Sequence, residues 1–202
     1  MIFSLIDNLL KIFFAYILAD FLVGVLHWIK DTYFSPHTPI IGNIFIWPSR
    51  LHHIKPRHIV EQSDIELFKS SALWTLTWMG PLFLYIGISV FTASLFFTIS
   101  INDIVHKYAH LIDSERPAFI TFLQKIQIFQ SHNQHHLHHI NPFEINYCPI
   151  TPFTNMYLEK INFWRNLENL IENITGIKPR ATIDNFIEDD TAIAGITFLS
   201  AD

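Results

Sequence analysis

The sequence predicts an all-α integral membrane protein with about three transmembrane helices, an interfacial helix and a His-rich lobe on the cytosolic face. Three observations carry that expectation. Half of the 202 residues are hydrophobic and only 15% are charged, against roughly 25% charged in ordinary soluble domains. Mean hydropathy is +0.28. The apolar residues fall in long runs, and the 12 histidines lie outside them or at their ends.

The first run, residues 12–29, is broken only by Asp20 and His27. A bilayer core takes about 20 helical residues, so this is the first transmembrane helix. A cleaved signal peptide fits poorly, because Lys11 sits late and no small-residue cleavage site follows the run. Residues 29–66 are different in kind. They hold Pro36, Pro39, Pro48 and Pro56, several charges, and His37, His52, His53 and His58, which makes a polar lobe. Residues 68–105 are apolar again and too long for one crossing. Gly80–Pro81 can kink a helix and residues 86–89 can turn one, so a hairpin of helices at about 68–86 and 88–110 is expected. After Pro117, residues 119–129 form a short amphipathic segment suited to the interface. Residues 155–175 have helical, amphipathic spacing. Residues 1–180 form one domain, and 181–202 form an acidic C-terminal tail.

Three crossings determine the topology. The first helix ends at His27 on one side, and the hairpin leaves that side and returns to it at His106. Every histidine then lies on one face. Of the 13 Lys and Arg residues only Lys11 falls on the other side, so the histidine face is cytosolic by the positive-inside rule. The deduction depends on the hairpin and fails for one long helix.

The net charge of −5 provides no basic footprint, so nucleic acid is not an expected partner. One cysteine, Cys148, excludes an intrachain disulfide framework and a Cys-rich zinc site. Four groups of residues remain. Asp20, Gly24, His27 and Asp31 are spaced i, i+4, i+7, i+11 on one helical stripe. His52–His53 lie in the polar lobe. His106 and His110 in HKYAH are four apart. His135, His138 and His139 form H-x-x-H-H and share a helical face. Any one group has a structural reading as surface histidines or, for the aspartates, as interhelical hydrogen bonding. Together they exceed the four ligands of a zinc ion, and two metal ions fit better. Imidazole serves iron, zinc and copper, and non-haem iron performs oxygen chemistry on unactivated C–H bonds. Asp20 and Asp31 are placed to orient ligand imidazoles.

At these residues the chain resembles the lipid desaturases that include plasmanylethanolamine desaturase and the plant chloroplast phosphatidylglycerol palmitate desaturase. The matching stretches are ADFLVGVLHWIKDTY (19–33), PIIGNIFIWPSRLHHIKP (39–56), HKYAH (106–110), LQKIQIF (123–129), QHHLHHINPFEINYC (134–148), NMYLEKINFWRNLE (155–168) and TGIKPR (175–180). The resemblance implies eight ligand histidines for two iron ions: His27, His52, His53, His106, His110, His135, His138 and His139. Asp20 and Asp31 match its acidic positions, whereas His37, His58, His132 and His136 have no counterpart. It also implies dioxygen as co-substrate, a membrane glycerolipid substrate, and an external electron donor such as cytochrome b5 or ferredoxin. No G-x-G-x-x-G nucleotide fingerprint is present. The chain departs from the animal enzymes at Gln62 and Phe143, where they carry further histidines, and at Pro152, where they carry glycine. Those departures leave the lipid open. A hydroxylase using the same site, a zinc-dependent membrane lipid hydrolase, a metal-binding or transport protein and an inactive homologue stand as alternatives.

Overall fold

A computed structural model describes residues 2–140 and 143–180; the acidic tail expected at 181–202 lies outside the described residues. The longest apolar run folds as α1, Ile2–Thr32. At 1.5 Å per residue it measures roughly 46 Å, more than a hydrocarbon core of about 30 Å. Among the described residues it is the one helix both long and apolar enough to cross a membrane.

The expected hairpin forms. Its first arm is α3, Asp64–Ile86, started by a capping box between Ser63 and Glu66. It stops at Gly87, whose φ of 77° is a conformation glycine adopts freely. A second capping box, Ser89 with Thr92, starts the return arm. That arm is not the single helix expected at 88–110. It is α4, Val90–Ser100, followed by α5, Asn102–Ala109, with a break at Ile101. The reason is polar. The Ser100 hydroxyl donates to the Phe96 carbonyl, a pairing that bends helices, while Asp103 accepts from Ser71 across the hairpin. Lys107 and Tyr108 donate to Asp64 at the start of α3, which makes the arms antiparallel.

Small residues let the three helices close. Ala15 and Ala19 of α1 are fully buried against Met79 of α3 and Leu95 and Ile99 of α4. The polar lobe holds α2, Trp47–Ile54. The amphipathic segment is α6, Ala118–Lys125. The HHLHH stretch is a short helix, α7, His132–His136, running into a 3-10 turn, Leu137–His139. The helical stretch expected at 155–175 is two helices, α8, Pro152–Lys160, and α9, Phe163–Thr175. Asn162 separates them in the left-handed region, which asparagine tolerates. A second core of Trp28, Tyr147, Cys148, Leu158 and Trp164 clamps these helices to the end of α1. Gly24 is required there, because a β-carbon at that position would overlap Cys148 Sγ and lie 3.2 Å from its Cα.

Candidate metal centre

Four elements deliver side chains to one end of the bundle. α1 brings His27 and Asp31, α2 brings His52 and His53, α5 brings His106 with His110 as its C-cap, and the α7 segment brings His135, His138 and His139. The side chains separate into two neighbouring groups. In one, the ligand atoms of His52, His106, His110, His135 and His139 lie within 4.8 Å of one another. In the other, the same holds for His27, Asp31, His53 and His138. The His52–His53 and His138–His139 dipeptides each feed both groups, since consecutive residues of a helical turn point roughly 100–120° apart. His52 and His139 face the first group, and His53 and His138 the second.

The nitrogens converge closely. In the first group Nε2–Nε2 separations are 2.9 Å for His106–His135 and His135–His110, 3.0 Å for His110–His52 and 3.1 Å for His139–His135. In the second, His27 and His138 are 3.1 Å apart, and Asp31 Oδ2 lies 3.2 Å from His27 and 3.0 Å from His53. The outer nitrogens decide the tautomers. His27 Nδ1 donates to the Tyr147 carbonyl at 3.0 Å and His138 Nδ1 to the Ile145 carbonyl at 2.8 Å. A carbonyl only accepts, so each Nδ1 carries the proton and each Nε2 turns a lone pair inward. Two lone pairs at 3.1 Å repel unless a cation lies between them.

Protons are a poor choice of cation here. Burial, reinforced by neighbouring imidazoles, holds His52, His135 and His139 well below the usual imidazole range. Burial also brings His53 down to about 4, even with Asp31 beside it. Inward-facing imidazoles, with the outer nitrogens of His27, His135 and His138 anchored, suit a divalent transition metal. The donor sets therefore fit metal ions: five nitrogens in one group, three nitrogens and a carboxylate in the other.

Asp31 does more than orient an imidazole. Its Oδ1 accepts from Ser49 at 3.0 Å and from the fully buried Arg50 at 2.8 Å, while Oδ2 faces the histidines. Arg50 in turn donates to the carbonyls of Lys30, Asp31 and Phe34, tying α2 to the end of α1. Asp20 stands further out. It accepts from the backbone N–H groups of Ile150 and Thr151, and so holds the loop whose Ile145 and Tyr147 carbonyls anchor His138 and His27. None of the four remaining histidines joins either group. His37, His58 and His136 are exposed, and His132 bonds the Ala109 carbonyl and stacks on His136.

Sequence reasoning missed Arg50 and Gln130. Gln130 is buried, and its side-chain oxygen accepts from His135 Nδ1 at 3.2 Å. An arginine two residues before a His-His pair is the one visible signal, and nothing local marks Gln130. Phe143, a position of departure from the animal enzymes, packs on the His53 ring at 4.9 Å. Gln62 presents its carbonyl to Lys107, and Pro152 opens α8 behind its Thr151 cap.

Among the described residues the fold is all-helical, with one long apolar helix and a paired, histidine-rich site able to bind metal. The chain belongs to the lipid desaturase domain family, whose pattern matches residues 16–182. A probable fatty acid desaturase of Acanthamoeba polyphaga mimivirus is 56% identical over 98% of this chain and all of its own length. The mouse plasmanylethanolamine desaturase 1 is 34% identical over 82% of this chain, which spans 65% of that protein. Chloroplastic fatty acid desaturase 4 of Arabidopsis thaliana is 29% identical over 83% of this chain and 52% of its own length. No solved structure matches.

Proposed function

We propose that this chain is an oxygen-dependent di-iron desaturase, integral to the membrane, that introduces a double bond into an acyl or alkyl-ether chain of a membrane glycerolipid. The observation that carries the reading is the pairing of two adjacent, buried, nitrogen-rich donor groups in a chain of the lipid desaturase family. His52, His106, His110, His135 and His139 would hold one iron, and His27, Asp31, His53 and His138 the other. Bound iron supplies the power to use dioxygen against an unactivated C–H bond.

The protein's part is orientation and exclusion of water. The carbonyls of Ile145 and Tyr147 and the Gln130 side chain set the imidazole rings, and Arg50, paired with the Asp31 carboxylate, holds it in place. Two hydrogens leave adjacent carbons of the lipid. Dioxygen would become two waters by taking two electrons and two protons from substrate, two electrons from an external carrier such as cytochrome b5 or ferredoxin, and two protons from solvent.

Membrane placement rests on exposed apolar surface. Phe3, Leu9, Phe13 and Phe14 of α1, Leu73 and Trp74 of α3, and Leu84, Tyr85 and Ile88 at the hairpin turn all face outward. This exceeds what a soluble monomer exposes, and the α1 and hairpin-turn residues among them lie toward the ends of their helices away from His27 and His106. The basic residues Lys30, Arg50, Lys55, Arg57 and Lys107 gather at the histidine end, so that end faces the cytosol.

Elemental analysis of detergent-purified protein tests the site, and mass spectrometry of lipids from expressing cells tests the reaction. Two irons per chain and lipid species two mass units lighter are expected. One zinc without iron, under ample iron, replaces this reading with a hydrolase. Lipids gaining one oxygen replace it with a hydroxylase.

A further inference from the structure

A line of aromatic rings runs from the histidines toward the protein surface. The Tyr147 ring lies 5.2 Å from His138 and 6.0 Å from His27. Trp164 follows at 5.1 Å, Trp28 stacks on Trp164 at 5.5 Å, and partly exposed Tyr33 lies 5.5 Å beyond Trp28. Tyr147, Trp164 and Trp28 are all at most 2% exposed. The two indoles differ in one respect. Trp28 Nε1 donates to Glu168 Oε1 at 2.9 Å, whereas Trp164 Nε1 is buried with no hydrogen-bond partner. Glu168 is itself buried, with Arg165 at 2.6 Å.

Packing accounts for the rings but not for a carboxylate set under one indole. An oxidised indole is a strong N–H acid, and a carboxylate on that hydrogen makes the electron easier to remove. An electron vacancy entering at Tyr147 would therefore pass Trp164 and come to rest on Trp28, away from the histidines. Tunnelling falls steeply with distance, and rings in contact make each step short.

Resting on the iron reading above, we propose that Trp28, with Glu168 as its proton acceptor, is a sacrificial electron donor that protects the metal site when oxygen is activated without a lipid hydrogen to remove. Trp28 gives one electron through Trp164 and Tyr147 to the oxidised site, and its indole proton moves from Nε1 to Glu168. A small one-electron reductant of the thiol or ascorbate class returns the electron by way of Tyr33, and the proton goes back to Nε1.

The test uses iron-loaded, reduced protein exposed to air without lipid, freeze-quenched and read by electron paramagnetic resonance, with iron oxidation followed by Mössbauer spectroscopy. The wild type is expected to give a neutral indole radical. Trp28→Phe and Trp164→Phe should lose it, with oxidative adducts moving to Tyr147 and the ligand histidines in peptide maps. Glu168→Gln preserves side-chain size while removing the proton acceptor, so its radical should fall to background or become the protonated form. It carries the test should Trp28→Phe not fold. Phe163→Leu, beside the line, should retain the wild-type signal. Iron that oxidises without any indole radical, or a signal unchanged in Glu168→Gln, overturns the relay and leaves the iron reading intact. Absence of bound iron overturns both.

Discussion

Replacing Asp31 by Asn removes one negative charge and almost no volume from the junction of α1 and α2. The carboxylate meets Arg50 at 2.8 Å, Ser49 at 3.0 Å and His53 at 3.0 Å, and Arg50 is fully buried. Taking one partner from a buried ion pair costs about 3–5 kcal/mol, because the other charge stays desolvated. Arg50 keeps three carbonyl acceptors at 2.8–3.0 Å, which places the loss near the lower end, about 3 kcal/mol. For a chain of this size that corresponds to a fall in Tm of about 6–12 °C. The assay is thermal unfolding in detergent of metal-free protein, with iron counted separately after loading. Asp31→Asn should lose the iron of the His27, His53 and His138 group while the other group stays loaded. The double variant Asp31→Asn with Arg50→Met should recover part of the stability, since no uncompensated buried charge remains. A single variant within about 1 kcal/mol of wild type, or one retaining both irons, would refute the assignment of Asp31 as both counter-ion and ligand.

Three further outcomes are expected. Gly24→Ala drives a β-carbon into Cys148 and should cost about 1–3 kcal/mol through overpacking, measured as a lower Tm; an unchanged Tm would mean that α1 and the 145–151 loop are not in contact. Asp20→Asn leaves one acceptor for Ile150 and turns an amide N–H toward Thr151, costing about 1–3 kcal/mol. Its iron affinity should fall less than that of His138→Ala, because Asp20 reaches the ligands only through the loop, and an equal fall would make it a ligand. In metal-free protein, the depressed His53 stays neutral in the fold down to about 4, whereas the unfolded chain takes up the proton near 6.5. The unfolded state binds more protons in that window, so the His53 contribution to stability should fall as pH drops from about 6.5 to about 4, and His52, His135 and His139, held lower still, should extend the fall below that. His53→Gln should make the fall between about 6.5 and about 4 shallower, and a slope unchanged in that variant, or a wild-type profile that rises on acidification, would contradict it.

The helical class, the hairpin turn at Gly87, the separation of polar and apolar segments and the family were all legible in the chain itself. The eight histidines and Asp31 whose side chains stand together were visible as four local groups, but the single face expected for His135, His138 and His139 divides, because the chain tightens to a 3-10 turn at Leu137–His139 and His138 turns to the second group. Local pattern did not reveal the break at Ile101. It arises from Ser100 bonding back to Phe96 and Asp103 reaching Ser71, and the second of these pairings exists only once the hairpin has closed. Nor did it divide 155–175 at Asn162, since an amphipathic pattern continues through a turn that only a left-handed residue makes.

What the sequence by itself determined is the inventory: which donor atoms are available, on which helices, and at which end of the bundle. What only the tertiary structure decided is their partition, with the His52–His53 and His138–His139 pairs divided between two groups, Asp31 turned toward both Arg50 and the histidines, and Asp20 withdrawn to hold a loop. Spacing along a helix sets the direction of a side chain relative to its own axis. How far apart two imidazoles from different helices come to rest depends on the packing of those axes. Here Ala15, Ala19 and Gly24 allow the close approach, and Arg50 ties α2 to the end of α1.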